Sequence, residues 1–181
     1  MSSSPIRVML ADDDALVRSA LSMMLAGTDD IRVVAEVADG AEVAAAVDAY
    51  KPDLVLMDIR MPRMDGLAAT EQLRAREDAP AVIVLTTFDA DDMVLRALRA
   101  GAGGFLLKDT PPPEMLRAIR LVVAGEPMLS PAVTRRLIAR VTEGDSIASP
   151  AWTSRIAARI SAGGVSLSRK PPAPARSARS T

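Results

Sequence analysis

The sequence predicts an α/β fold: a doubly wound, five-stranded parallel sheet in which a helix follows each strand. Three observations lead there. Short apolar runs alternate five times with stretches of helical spacing. Four of these five runs are almost continuously apolar, the pattern of strands covered by helices on both faces. A strand–helix order repeated in this way winds right-handed crossovers around one sheet. Apolar residues make up 49% of the 181 residues and aromatic residues only 2%, so the core is aliphatic.

Residues 6–11 form the first strand and 15–25 the first helix, where Leu16, Ala20 and Met23 recur at helical intervals. Residues 33–37 form the second strand; Glu36 interrupts its apolar run and suits a sheet edge. A helix over 41–49 leads to the third strand, 53–58, and a helix over 66–74 leads to the fourth, 81–87. Asp92 can cap a helix over 92–100, with Met93, Leu95 and Leu98 behind it. The fifth strand spans 104–108. Pro112 and Pro113 stand at the entrance of the last helix, 113–123, where a missing N–H costs nothing.

These elements make a body of residues 5–125. A linker helix is expected within 126–145, opened by Ser130-Pro131, striped by Val133, Leu137 and Val141, and ended by Gly144. Residues 146–181 read as a basic low-complexity tail, whose last part, 164–181, has too little apolar content to order. Charge follows the same division. Residues 1–145 hold all 23 acids against 16 bases, a net −7, whereas 146–181 hold six bases and no acid.

Composition removes whole classes of chemistry. With no Cys and no His, there is no disulfide, no Cys or His zinc site, no thiol catalysis and no Ser-His-Asp triad. Nor can this chain carry phosphate on a histidine of its own. No apolar stretch approaches the roughly eighteen residues of a membrane span. Met1-Ser2-Ser3-Ser4-Pro5 shows no basic region leading into an apolar one, so a cytoplasmic protein is expected.

What remains is oxygen and amine chemistry, and it gathers at strand ends. Asp12 and Asp13 end the first strand, Asp58 the third, Thr86 the fourth and Lys108 the fifth. Ligands of open parallel sheets bind in the crevice outside those carboxyl ends. Each residue alone is unremarkable: an aspartate at a strand end is usually a turn former or helix cap, and a lysine beside a turn is usually solvated. Together they define a pocket. Two like charges about 4 Å apart repel by about 4 kcal/mol at an effective dielectric near 20. Three carboxylates therefore need a proton or a cation, and one lysine is too little for three acids. Mg²⁺ suits an all-oxygen set completed by water and a phosphoryl oxygen. An aspartate in that setting can attack phosphorus to give an aspartyl phosphate, while a hydroxyl and an ammonium steady the new oxygens.

Four runs carry a specific resemblance. Val8-Met9-Leu10-Ala11-Asp12-Asp13-Asp14, the stretch from Pro52 through Asp58-Ile59-Arg60-Met61-Pro62 to Asp65-Gly66, Val84-Leu85-Thr86-Thr87-Phe88, and Gly104-Phe105-Leu106-Leu107-Lys108 resemble the receiver domain of bacterial two-component response regulators. Leu85-Thr86-Thr87-Phe88-Asp89 and Lys108-Asp109-Thr110 are similar to the NarL/FixJ (LuxR-type) subfamily. The resemblance implies a flavodoxin-like fold and makes Asp58 the phosphoacceptor. Asp13, Asp58 and the backbone carbonyl of Arg60 become Mg²⁺ ligands, with Asp12 completing the acidic pocket. Thr86 becomes the switch hydroxyl, Lys108 the phosphoryl-binding cation and Phe105 the switch aromatic, while Pro62 and Gly66 shape the loop after the acceptor.

It also implies partners. A sensor histidine kinase donates the phosphoryl group, and phosphorylation favours a homodimer. The protein is expected to be a switch rather than a turnover enzyme, with self-phosphorylation and self-dephosphorylation as its only chemistry. In this subfamily a DNA-binding helix-turn-helix of roughly sixty residues follows the linker. Here 31 residues follow residue 150, no Glu follows Glu143 and the chain has no Asn. DNA binding is therefore expected only of a full-length relative. Two accounts stay open: a truncated or frame-shifted transcription regulator, and a single-domain receiver acting through protein partners. A haloacid-dehalogenase-type phosphatase shares the Asp-x-Asp, Thr and Lys kit. It also needs an acidic pair that Asp109 and Asp145 do not form, and it leaves the run from Asp58 to Gly66 unexplained.

Overall fold

The computed structural model describes residues 4–87, 91–129 and 134. All belong to the first of two units into which the chain divides, Met1–Ala148. Strand and helix alternate: β1 (Ile6–Ala11), α1 (Ala15–Leu25), β2 (Ile31–Val37), α2 (Gly40–Tyr50), β3 (Leu54–Asp58), α3 (Gly66–Arg74), β4 (Ala81–Thr86), α4 (Asp91–Arg99), β5 (Gly104–Leu107), α5 (Pro112–Val123) and β6 (Met128–Leu129). The sheet is parallel throughout, in the order β2-β1-β3-β4-β5-β6.

The α/β architecture is as the sequence predicts, with β2 at an edge. The strand count is not: there are six strands among the described residues. Met128 and Leu129 pair with Gly104 and Phe105, so the segment expected to lead into a linker helix begins with a strand. Residues 130–133 and 135–145 of that segment, and the whole tail, lie outside the described residues. Two local differences have physical causes. Strand β2 starts at Ile31, two residues before the expected 33, because Ile31 and Arg32 pair with Ile6 and Arg7; a register shift between Val8 and Met9 then leaves Val34 as an extra residue. Helix α4 starts at Asp91, which puts Asp92 inside the first turn instead of at the cap.

Side chains alternate across the sheet. Val8 and Leu10, Leu54 and Leu56, Ile83 and Leu85, and Leu106 form one buried layer with Leu21 and Leu25 of α1 and Met115, Ile119 and Val122 of α5. The opposite parity is equally dry: Met9, Val55, Met57, Val84 and Phe105 are each 0–1% exposed. With both faces closed by aliphatic packing, the carboxyl-terminal rim is left for polar groups. Asp14, Asp39 and Asp65 accept hydrogen bonds from the Leu16, Ala41 and Ala68 amides in the first turns of α1, α2 and α3, fixing where three helices leave that rim.

A surface pair ties the last helix to the start of β2. Arg120 donates to both carboxylate oxygens of Asp30, at 2.7 and 2.9 Å. The Arg120 hydrogen bond lowers the Asp30 pKa below the ordinary aspartate value. The pair therefore stabilises the fold above the pKa of the unfolded carboxyl, and that contribution is lost as pH falls through the folded value. Arg120→Ala is expected to lower the thermal midpoint slightly at neutral pH, by an amount that shrinks to nothing in acid. A difference that persists once Asp30 is protonated would contradict this.

Candidate functional site

Residues from four strand ends converge on the rim. Asp12 and Asp13 follow β1, Asp58 ends β3, Thr86 ends β4 and Lys108 follows β5. The order β1-β3-β4-β5 makes these strands consecutive neighbours, which is why residues so far apart in sequence meet. Asp12, Asp58 and Thr86 are buried, at 2%, 6% and 5% exposure, while Asp13 is exposed. One oxygen from each of Asp12, Asp13 and Asp58 lies within 4.8 Å of the others. The Lys108 ammonium sits 2.7 Å from Asp12 Oδ2 and 3.1 Å from Asp58 Oδ1.

The electrostatics follow from this crowding. Burial pushes the Asp58 carboxyl above its ordinary pKa; Lys108 pulls against that shift and Asp12 adds to it. Burial also works against the charge on Lys108, but the Asp12 and Asp58 carboxylates outweigh it and hold the ammonium protonated. Three carboxylates and one ammonium leave two negative charges uncompensated. A divalent cation matches that number. The donors are all hard oxygens, and Oδ2 of Asp12 is buried with only the Lys108 ammonium to pair with it among the described residues. The residues present thus fit Mg²⁺.

Thr86 and Phe105 lie on one face of the sheet. Phe105 is the register partner of Val84, and Thr86 follows Val84 by the two residues of one strand period. Phe105 is 1% exposed, its ring wholly inside. Lys108 is tied to the same strand end, since its amide donates to the Thr86 carbonyl at 2.8 Å. Arg60 lies two residues beyond Asp58, and no hydrogen bond among the described residues uses its carbonyl.

Gly66 sets the loop between them. Its amide donates to the Ile59 carbonyl at 2.8 Å, closing residues 59–66 on themselves. A Cβ at this position would lie 1.9 Å from the Asp58 carbonyl oxygen.

Three contacts escape the sequence reading. Arg18 donates to the Asp12 carbonyl at 2.6 Å, Arg60 donates to the Thr87 hydroxyl at 2.9 Å, and Asp39 accepts from the amides of Arg63 and Met64. Asp39 precedes Gly40, and Asp-Gly reads locally as a turn, with nothing to indicate partners in a distant loop.

A profile of the response regulator receiver domain matches residues 8–120. The chain belongs to this family. It is similar to an uncharacterised transcriptional regulatory protein, YxjL, of Bacillus subtilis, at 37% identity over 77% of this chain and 64% of the relative. It is also similar to the oxygen regulatory protein NreC of Staphylococcus aureus, at 39% identity over 74% of this chain and 62% of that protein. Among solved structures, a LuxR-family two-component response regulator from Aurantimonas superposes with a TM-score of 0.72 at 30% identity, covering 77% of this chain and 99% of that one. The chain is thus a two-component response regulator of the NarL/LuxR kind, with the flavodoxin-like receiver fold. It spans less than two thirds of the length of the two curated relatives. The receiver match includes the run from Asp58 to Gly66 that a dehalogenase-type phosphatase leaves unexplained. No helix among the described residues is long and apolar enough to cross a membrane.

Proposed function

We propose that this receiver is a cytoplasmic phosphorelay switch in which Asp58 takes a phosphoryl group from the phosphohistidine of a sensor kinase. One observation carries the reading: the Lys108 ammonium lies between the buried carboxylates of Asp12 and Asp58, beside an oxygen set suited to a divalent cation. An Asp58 oxygen attacks phosphorus, the phosphorus–nitrogen bond of the donor breaks, and the departing imidazole takes up a proton. Lys108 moves its charge from carboxylate to phosphoryl oxygen, and the Thr86 hydroxyl donates to another. Asp12, Asp13, Asp58 and the Arg60 carbonyl would hold Mg²⁺, which when bound would supply positive charge to offset the gathering oxygens. When Thr86 is drawn to the new anion, the space beside Phe105 changes, and the α4–β5–α5 face shifts between existing populations.

The relatives support a reading of the output. YxjL is named a transcriptional regulatory protein, which supports transcription regulation as the role of this receiver in a full-length form. Single-domain action through protein partners is the alternative. For the chemistry, the test is labelling with acetyl phosphate. Excess chelator is expected to abolish it, and Asp13→Asn to weaken both Mg²⁺ affinity and labelling by on the order of tenfold. Labelling that proceeds unchanged in chelator overturns the reading.

A further inference from the structure

We infer that Asp39 is a positioning residue for the site: it fixes the loop that carries Arg60, and so sets the affinity for the divalent cation. The inference rests on the phosphoacceptor reading but concerns a residue outside the acidic cluster. Asp39 is 3% exposed, in the turn between β2 and α2. Its Oδ1 accepts from the Ala41 amide at 2.9 Å, which caps α2. The same oxygen accepts from the Met64 amide at 3.3 Å, and Oδ2 accepts from the Arg63 amide at 2.8 Å. The Arg63 guanidinium folds back over the pair, 3.6 Å from Oδ1 and ion-paired with Glu42.

One buried carboxylate thus does two separable jobs. Capping α2 needs one oxygen, and a serine can supply it. Holding the far side of the loop needs both. The loop is already closed at its base by Gly66 and Ile59, and Gly40 lies so close that a Cβ there would be 2.4 Å from the Met64 carbonyl oxygen. Between base and clamp lies Arg60, whose carbonyl the proposed cation site uses. Burial opposes the charge on Asp39, yet the amide donors and Arg63 outweigh it and its pKa lies below the ordinary value, which keeps it an acceptor on both oxygens.

Asp39→Ser keeps a cap and removes the clamp; Asp39→Asn keeps Oδ1 and turns an amide N–H₂ toward the Arg63 N–H. Mg²⁺ alone, titrated calorimetrically into the full chain, is expected to bind each variant roughly tenfold more weakly than wild type. The Mg²⁺ concentration for half-maximal labelling by acetyl phosphate rises in step, and the rate at saturating Mg²⁺ returns toward wild type. That split separates loop placement from general destabilisation, which would lower the thermal midpoint and leave the Mg²⁺ affinity of folded protein unchanged. Wild-type Mg²⁺ affinity in both folded variants overturns the role of Asp39 alone. If Asp39→Ser does not fold, Asp39→Asn decides the question by the same two readings. Wild-type protein that takes no label at Asp58 overturns the phosphoacceptor reading instead.

Discussion

Asp58→Asn protein, treated with acetyl phosphate and Mg²⁺, is expected to gain no phosphoryl mass while keeping a wild-type fold. Asp12, Asp13 and Asp14 also stand at the rim, so this expectation is about place. Asp58 ends β3, between the β1 acids on one side and Thr86 and Lys108 on the other. From there a single phosphoryl group on Asp58 would reach the proposed cation, a hydroxyl and an ammonium together. Asparagine keeps the size and the hydrogen-bonding oxygen but is no nucleophile. It also removes one of two carboxylates beside Lys108, leaving Asp12 to pair with the ammonium at 2.7 Å, so the fold loses little. Intact mass spectrometry reads the result directly. A yield equal to wild type would show that another carboxylate accepts the group.

Gly66→Ala is expected to be the most damaging small substitution near the site, costing about 3 kcal/mol and lowering the thermal midpoint by about 10 °C. A Cβ there would lie 1.9 Å from the Asp58 carbonyl oxygen, 2.9 Å from its carbon and 2.8 Å from Met57 Cγ. Two of those three atoms are backbone, which cannot swing aside as a side chain can. Relief requires either β3 or the start of α3 to move. Either movement displaces Asp58, so labelling is expected to fall even at temperatures where the variant is folded. Thermal melts and the labelling assay check the two parts separately. An unchanged midpoint would mean that the loop and helix are not held as closely as the geometry shows.

The sheet and most of the candidate site are legible in the sequence because their signals are local. An apolar run ending in Asp, Thr or Lys states both the strand and the rim at which it ends. The helices over 15–25 and 66–74 are predicted to the residue. Other features are written in no local signal. Strand β6 is two residues long, too short to show a period. The extra residue at Val34 changes pairing without changing polarity. The Asp39 clamp is invisible because its amide partners lie 24 and 25 positions away and are backbone groups, which every residue has.

The ion pair between Lys108 and Asp12 joins one end of the receiver to the other, 96 positions apart in sequence. During synthesis, Asp12, Asp13 and Asp58 leave the ribosome long before their counter-charge. A nascent chain that stops short of β5 holds the three acids without the Lys108 ammonium that lies between Asp12 and Asp58 in the folded receiver. Such late closure is slow, because long-range pairing must wait for the chain between to be organised. The pairing of Lys108 with Asp12 and Asp58 is therefore among the last contacts that the rim can make.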